Sequence, residues 1–230
     1  MNQDYQVGAT KHLAARTLSI RYESLDETTI AHAKRLFLDH IGCVLVGSIL
    51  PWTKIVFRFV SDFGGNPDAR IVNYGHRCTT HDAAYVNAIF SQGHEWDDFA
   101  TRKMGAGHPG AGTWPVALAI GEKLRSSGKE LLAASVAGYE CMSRVGKALG
   151  ASSDRRGHHR QGIVSPLGAA IVTSHMLQLT EHETVMALGI AASHSSGLNE
   201  FGKTGGEVKR LHAGNGVRAG IQAAVLARNG

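Results

Sequence analysis

The chain has 230 residues, 43% of them hydrophobic and 19% charged, and 24 lysines and arginines against 19 aspartates and glutamates give a formal net charge of +5. That balance excludes charge-driven disorder, and an apolar run no longer than Ile41 to Val46 excludes a helix that spans a membrane, so one soluble globular domain over 1–230 is expected. The basic residues are scattered rather than interleaved with aromatics, which argues against a nucleic-acid partner, and Cys43, Cys78 and Cys141 are too few and too widely spaced for a disulfide framework or a cysteine metal knuckle. The N-terminal stretch MNQDYQVGATKHLAART has no apolar leader core, so a cytoplasmic location is expected.

In chain order the period is helical. Ser24 with Glu27 reads as a capping box, and Ile30, Ala33, Phe37, Ile41 and Val44 follow at steps of three and four, predicting a helix over 25–47 closed by Gly47. Pro51 stands where a first-turn proline belongs, and Gly64-Gly65 ends the shorter helix it opens. ARIVNYG is the one strand-like stretch, and a single strand makes no sheet. Helical patterns resume at 80–92, 113–126, 129–149, 163–178, 181–195 and 208–228, with Thr180 and Glu183 forming a second capping box. Many of these positions are Gly or Ala, as in GAGTWPVALAIG, which costs helix propensity at each Gly and lets helices approach closely. The fold class expected is all-α, a compact multi-helix domain.

Three irregular segments concentrate polar chemistry: 93–112, 150–162 and 198–207, the last running into VKRLHAGNG. The first carries His94, Glu95, Asp97, Asp98 and His108. Its HEWDD run lacks the i, i+4 histidine pair that sets two ligands on one helix face, so no metal is expected there. Two readings remain for it. Asp97 or Asp98 caps a helix, or His108, held between Gly107 and Pro109, works as an acid–base group with a carboxylate fixing its tautomer. In the second segment Arg155, Arg156, His158 and His159 are either a solvated basic loop or an anion site. In the third, Lys209, Arg210 and His212 stand at a helix start, against the macrodipole; an anionic ligand or an ion pair to Glu207 or Glu200 accounts for them. GKTGG lacks the upstream glycine and strand of a phosphate loop.

EWDD followed by GHPGAGTWPVALAIGE, GHH before GIVSPLGAAIVTS, and VKRLHAGNGVRAGIQAAVLARNG together resemble the MmgE/PrpD family, which includes 2-methylcitrate dehydratases, cis-aconitate decarboxylases and iminodisuccinate epimerases. The resemblance covers about 30–230. It implies a large all-helical domain, a smaller α+β domain that this sequence does not contain, and a homodimer, with a separate chain as an alternative source of the missing domain. By resemblance the family's acidic motif falls on Glu95, Asp97 and Asp98, its loop histidine on His108, its second histidine on His159 and its lysine on Lys209, with His212 in the same motif. Glu95 stands where relatives often have Asp, Phe99 where threonine is common and His158 where an aromatic is common, and the loop from Asp98 to His108 is longer than in the decarboxylase.

The chemistry implied is removal of a proton next to a carboxylate of a small di- or tricarboxylate, which needs a base and cationic stabilisation of the enediolate. Lys209 with an arginine from 155, 156 or 210 is expected to bind carboxylate, His108 or His159 to move the proton, and Glu95 and Asp97 to orient them. Asp98 is expected to be structural. Dehydration, decarboxylation and epimerisation all follow from one such site. No cofactor motif is present.

Overall fold

The computed structural model describes residues 8–100 and 105–230. Among them are eleven α-helices: α1 Ala9–Leu18, α2 Glu27–Ser48, α3 Pro51–Ser61, α4 Thr80–Ser91, α5 Pro109–Leu124, α6 Gly128–Leu149, α7 Ser152–Arg155, α8 Arg160–Met176, α9 Glu181–Ser193, α10 Phe201–Thr204 and α11 Leu211–Asn229. Two-residue strands, β1 Ala69–Arg70 and β2 Arg77–Cys78, pair antiparallel with Ala69 opposite Cys78 and Arg70 opposite Arg77. The all-α expectation holds, and the strand-like stretch has a partner that the sequence pattern does not show. No single helix among the described residues is long and apolar enough to cross a membrane.

Local signals set most helix ends. The Ser127–Glu130 and Thr180–Glu183 capping boxes both form. The helix expected from Ser24 starts instead at Glu27. Asp26 is its N-cap, accepting from the Thr29 N–H at 2.7 Å, while Ser24 closes a separate turn with Arg21. Pro51 is the first residue of α3, as its fixed φ favours.

The core is layered around α8, which packs against α5, α6, α9 and α11, and around α4, which packs against α2, α5 and α11. Nearly every α8 residue from Gln161 to Met176 is buried. Fully buried Phe90 on α4 contributes roughly 1.5–3 kcal/mol by transfer from water. Small residues permit these crossings. A Cβ on Gly47 of α2 would lie 1.8 Å from the Phe90 carbonyl oxygen, and one on Gly220 of α11 would lie 2.5 Å from that of Pro166. Among the described residues the hairpin has no further strand beside it and is completed by side chains: Asn87 accepts from Val72 N–H and donates to Arg70 C=O, both at 3.0 Å, and Glu122 accepts from Arg70 N–H at 2.9 Å.

Pro166 has a consequence for the site. Having no N–H, it cannot bond the Gly162 carbonyl one turn back. That carbonyl accepts instead from Ser196 N–H at 3.1 Å, and Ser195 Oγ donates to the Ile163 carbonyl at 2.9 Å. The chain beyond α9 is thereby fastened to the first turn of α8.

Candidate active site

Segments two and three of the sequence meet as a short antiparallel contact. His158 bridges Leu198, His159 N–H donates to Gly197 C=O at 2.9 Å and Asn199 N–H to Gly157 C=O at 2.8 Å. Segment one folds back on itself, with Ala100 N–H donating to Gly107 C=O at 2.8 Å; the intervening 101–104, part of the loop expected to be long, lie outside the described residues.

His108 is the N-cap position of α5. Its main chain is clamped from both sides by buried Gln161, whose Oε1 accepts from His108 N–H at 2.8 Å and whose Nε2 donates to His108 C=O at 2.9 Å and to Ser165 Oγ at 2.8 Å. Its Nδ1 stands 3.2 Å from Asp97 Oδ1. The approach is close enough for charge pairing but not aligned as a hydrogen bond, so both Asp97 oxygens and the ring nitrogen lack an aligned partner among the described residues. Asp97 is only 6% exposed, and burial pushes its carboxyl above the usual carboxylate range against the pull of His108.

Asp98 is structural, as expected. Its Oδ1 accepts from Gly110 N–H at 2.9 Å and so caps α5 from twelve residues upstream, while Tyr139 OH donates to Oδ2 at 2.8 Å and itself accepts from Trp114 Nε1 at 3.0 Å. Burial pushes Asp98 up to about 6 despite those two donors.

His159, at the N-cap of α8, meets His212 in the first turn of α11, the two Nδ1 atoms 2.8 Å apart. Phe201 stands edge-on to both rings. Burial, followed by the His212, Lys209 and His108 charges, pushes His159 down to about 3; burial also lowers His212.

Lys209 pairs with Glu95, 114 residues earlier, and its ammonium lies 5.8 Å from the Phe201 ring centroid. Glu95 adopts a left-handed backbone, φ 59°, at the turn that follows α4. The pair is partly exposed and contributes about 1 kcal/mol at most, so an incoming carboxylate can displace Glu95 at small cost.

His108, His159 and Lys209 line one cleft of about 370 Å³, with Arg160, Gln161, Asn199 and Phe201. Larger hollows of about 680 and 810 Å³ lie elsewhere. The second shares Phe99 and Ala100 with the cleft and also has Asp98 and Tyr139 in its lining. The first carries His81 and Lys123, but that ammonium is paired with Asp68 at 2.8 Å, and neither hollow contains the residues of the three polar segments that converge on the cleft, His108, His159 and Lys209.

Not every expected residue faces this cleft. Arg155 and Arg156 are exposed and outside its wall; Arg160, on the next element, is the arginine that lines it, held by Asp154 at 2.8 Å. Arg210 is spent on structure: it donates to Gly93 C=O at 2.9 Å, pairs with Glu207 and lies over Trp52. The Glu207 ion pair weighed for this motif therefore forms at Arg210, while Lys209 finds Glu95. His212 backs His159 rather than lining the cleft. Gln161, Arg160 and Tyr139 are additions that sequence reasoning did not supply. Gln161 and Arg160 directly follow the quoted His158-His159 pair, a position that signals proximity but not direction.

The arrangement offers an ammonium for a carboxylate, two imidazoles for proton movement and a buried carboxylate behind one of them. Sequence comparison agrees with the fold. The MmgE/PrpD N-terminal domain family matches residues 11–230. Similar proteins are a cis-aconitate decarboxylase of Aspergillus terreus, 28% identical over 229 residues, covering 97% of this chain and 46% of that protein; the cis-aconitate decarboxylase-like protein oryM of Aspergillus oryzae, 31% identical, covering 96% and 47%; and the human cis-aconitate decarboxylase, 29% identical, covering 96% and 46%. The chain spans about half the length of the curated relatives it matches.

Proposed function

The chain belongs to the MmgE/PrpD family, and from that premise we propose that it acts as a lyase on a small di- or tricarboxylate through a carbanion next to a carboxylate, formed either by proton abstraction on the way to losing water or by loss of carbon dioxide with protonation of the carbon left behind. The observation that carries this reading is the convergence of His108, His159 and Lys209 on one cleft. Lys209, released from Glu95, binds a substrate carboxylate and spreads the enediolate charge, while Arg160, whose guanidinium is held by Asp154 and the Gly146 and Gly150 carbonyls, adds positive potential from the wall. In a dehydration one imidazole takes the proton from carbon and the same or the other protonates the hydroxyl, which leaves as water; in a decarboxylation the C–C electron pair stays on carbon as carbon dioxide leaves, and an imidazolium supplies the one proton that the carbanion takes up. Asp97 holds His108 in place. The relatives named as cis-aconitate decarboxylases favour decarboxylation among these outcomes.

The test is turnover of cis-aconitate and 2-methylcitrate by the full chain. His108→Ala and Lys209→Ala are each expected to lower kcat by about 100-fold or more with the helical circular dichroism unchanged. Full activity in both variants removes the assignment. A second reading, epimerisation of an amino- or imino-dicarboxylate, is favoured by the Glu95 carboxylate beside Lys209, which gives a substrate nitrogen an acceptor. Solvent deuterium incorporation without elimination distinguishes it.

A further inference from the structure

Two buried imidazoles meeting Nδ1 to Nδ1 at 2.8 Å share a strict proton inventory. Two bare nitrogens at that distance repel, and so do two N–H groups; one proton lies between them, owned by one ring. We propose that His212 is a positioning residue that holds the neutral proton of His159 on Nδ1, so that His159 presents an unprotonated Nε2 to the cleft as the base. This deepens the proposed lyase reading and rests on it for the role, though not for the tautomer.

The direction of the shared bond follows from what surrounds each ring. His159 lines the cleft and His212 does not, and with Nδ1 engaged the nitrogen that His159 has left for a ligand is Nε2. The titratable and charged groups facing His159 there are Lys209 and His108, with Arg160 and its partner Asp154 further along the wall. The Lys209 ammonium only donates hydrogen bonds, and a positive neighbour is better met by a lone pair on Nε2 than by an N–H. His159 also sits at the positive end of α8, which disfavours the imidazolium. His212 is kept in register from behind. Gly197, at φ 111°, packs on its ring, and a Cβ there would lie 3.2 Å from Cγ, Nδ1 and Cε1. Phe201 closes the side. Burial keeps the resting pair neutral, as the depressed basicity of both rings indicates.

The proton step is balanced within the dyad. His159 Nε2 takes the proton from the carbon next to the carboxylate, and the C–H electron pair remains on the substrate as enediolate. The imidazolium so formed donates Nδ1–H to the His212 lone pair, so the new positive charge is shared with a second ring. Returning the Nε2 proton to carbon restores the starting state. Without His212 the ring is free to adopt Nε2–H, the tautomer that free histidine favours, and it then presents a donor where a base is needed.

The experiment is imidazole ¹⁵N NMR on the full chain, with the His159 and His212 signals assigned through single substitutions. The expected result is a protonated Nδ1 on His159 and a bare Nδ1 on His212. His212→Ala should move His159 to Nε2–H, and His212→Asn, whose amide oxygen can take the acceptor position, should restore Nδ1–H. A bare Nδ1 on His159 in the unmodified chain overturns the proposal, as does a His159 tautomer unchanged in His212→Ala; should that variant fail to fold, the unmodified chain decides alone. In turnover, His212→Ala is expected to lose about 100-fold in kcat with KM within about threefold, and His212→Asn to recover most of it. Expected tautomers in a chain that turns over neither acid remove the lyase reading and leave the dyad standing.

Discussion

The two imidazoles that line the cleft are backed in opposite ways. Behind His108 is a carboxylate, Asp97, buried and without an aligned hydrogen bond; behind His159 is a second neutral ring, His212. An ionised carboxylate only accepts, so it assigns the proton of a neutral His108 to Nδ1 by charge. A ring can donate or accept, so His212 assigns the proton of His159 only with help from its surroundings. One cleft therefore holds two groups of the same residue type whose proton positions are set by different physics.

The sharpest way to break that contrast is to remove the charge on one side. Asp97→Asn is expected to lower kcat on a turned-over carboxylate by about 100-fold while leaving the His159 tautomer unchanged by ¹⁵N NMR, since the two arms share no hydrogen bond.

The next effect is on stability and has opposite signs on the two sides. Asp98, beneath the His108 arm, is raised from 3.8 to about 6, so the folded state holds its proton more tightly than the unfolded state between those values. Its contribution is present below about pH 4 and falls by roughly 2–3 kcal/mol as pH rises to about 6. His159 is lowered from 6.5 to about 3; the unfolded chain binds its proton more readily, and stability rises with pH across that window. Urea midpoints measured from pH 4 to 6.5 should therefore rise more steeply in Asp98→Asn than in the unmodified chain; an identical slope rejects the Asp98 shift.

The smallest expected effect is at the clamp on the His108 arm. Gln161→Ala leaves the main chain of His108 without two partners and is expected to cost about 1–2 kcal/mol, read as a lower urea midpoint with unchanged m.

Much of the scaffold is legible in residue order. The Thr180–Glu183 box, Pro51 and the periodicity of 129–149 each mark an element that forms. Each miss has a physical cause. Ser24 and Glu27 match the capping-box spacing, yet Asp26 is the better placed acceptor. The helix read from 113 begins at Pro109, because the glycines at 110 and 112 lower its apparent propensity while Asp98 caps it through a tertiary contact. The sequence reading assigns no element to 9–18, where α1 forms with a mainly exposed surface and a weak apolar stripe. Of the site, His108, His159 and Lys209 are legible as chemistry on loops. Arg155 and Arg156 attract the same reading and lie outside the cleft, because charge on a short exposed helix looks the same in sequence whichever way it faces.

Sequence by itself determined where most of the long helices run and which loops carry acids, imidazoles and ammonium, because capping and periodicity act over three or four residues. Only the tertiary structure decided that Lys209 meets Glu95 across 114 residues and that His159 meets His212 across 53. Those meetings depend on how closely α8 and α11 cross, on the Gly162 carbonyl that Pro166 leaves free for Ser196, and on the space Gly197 leaves for a ring. Each is a distance between elements, and no local rule of chain order sets such a distance.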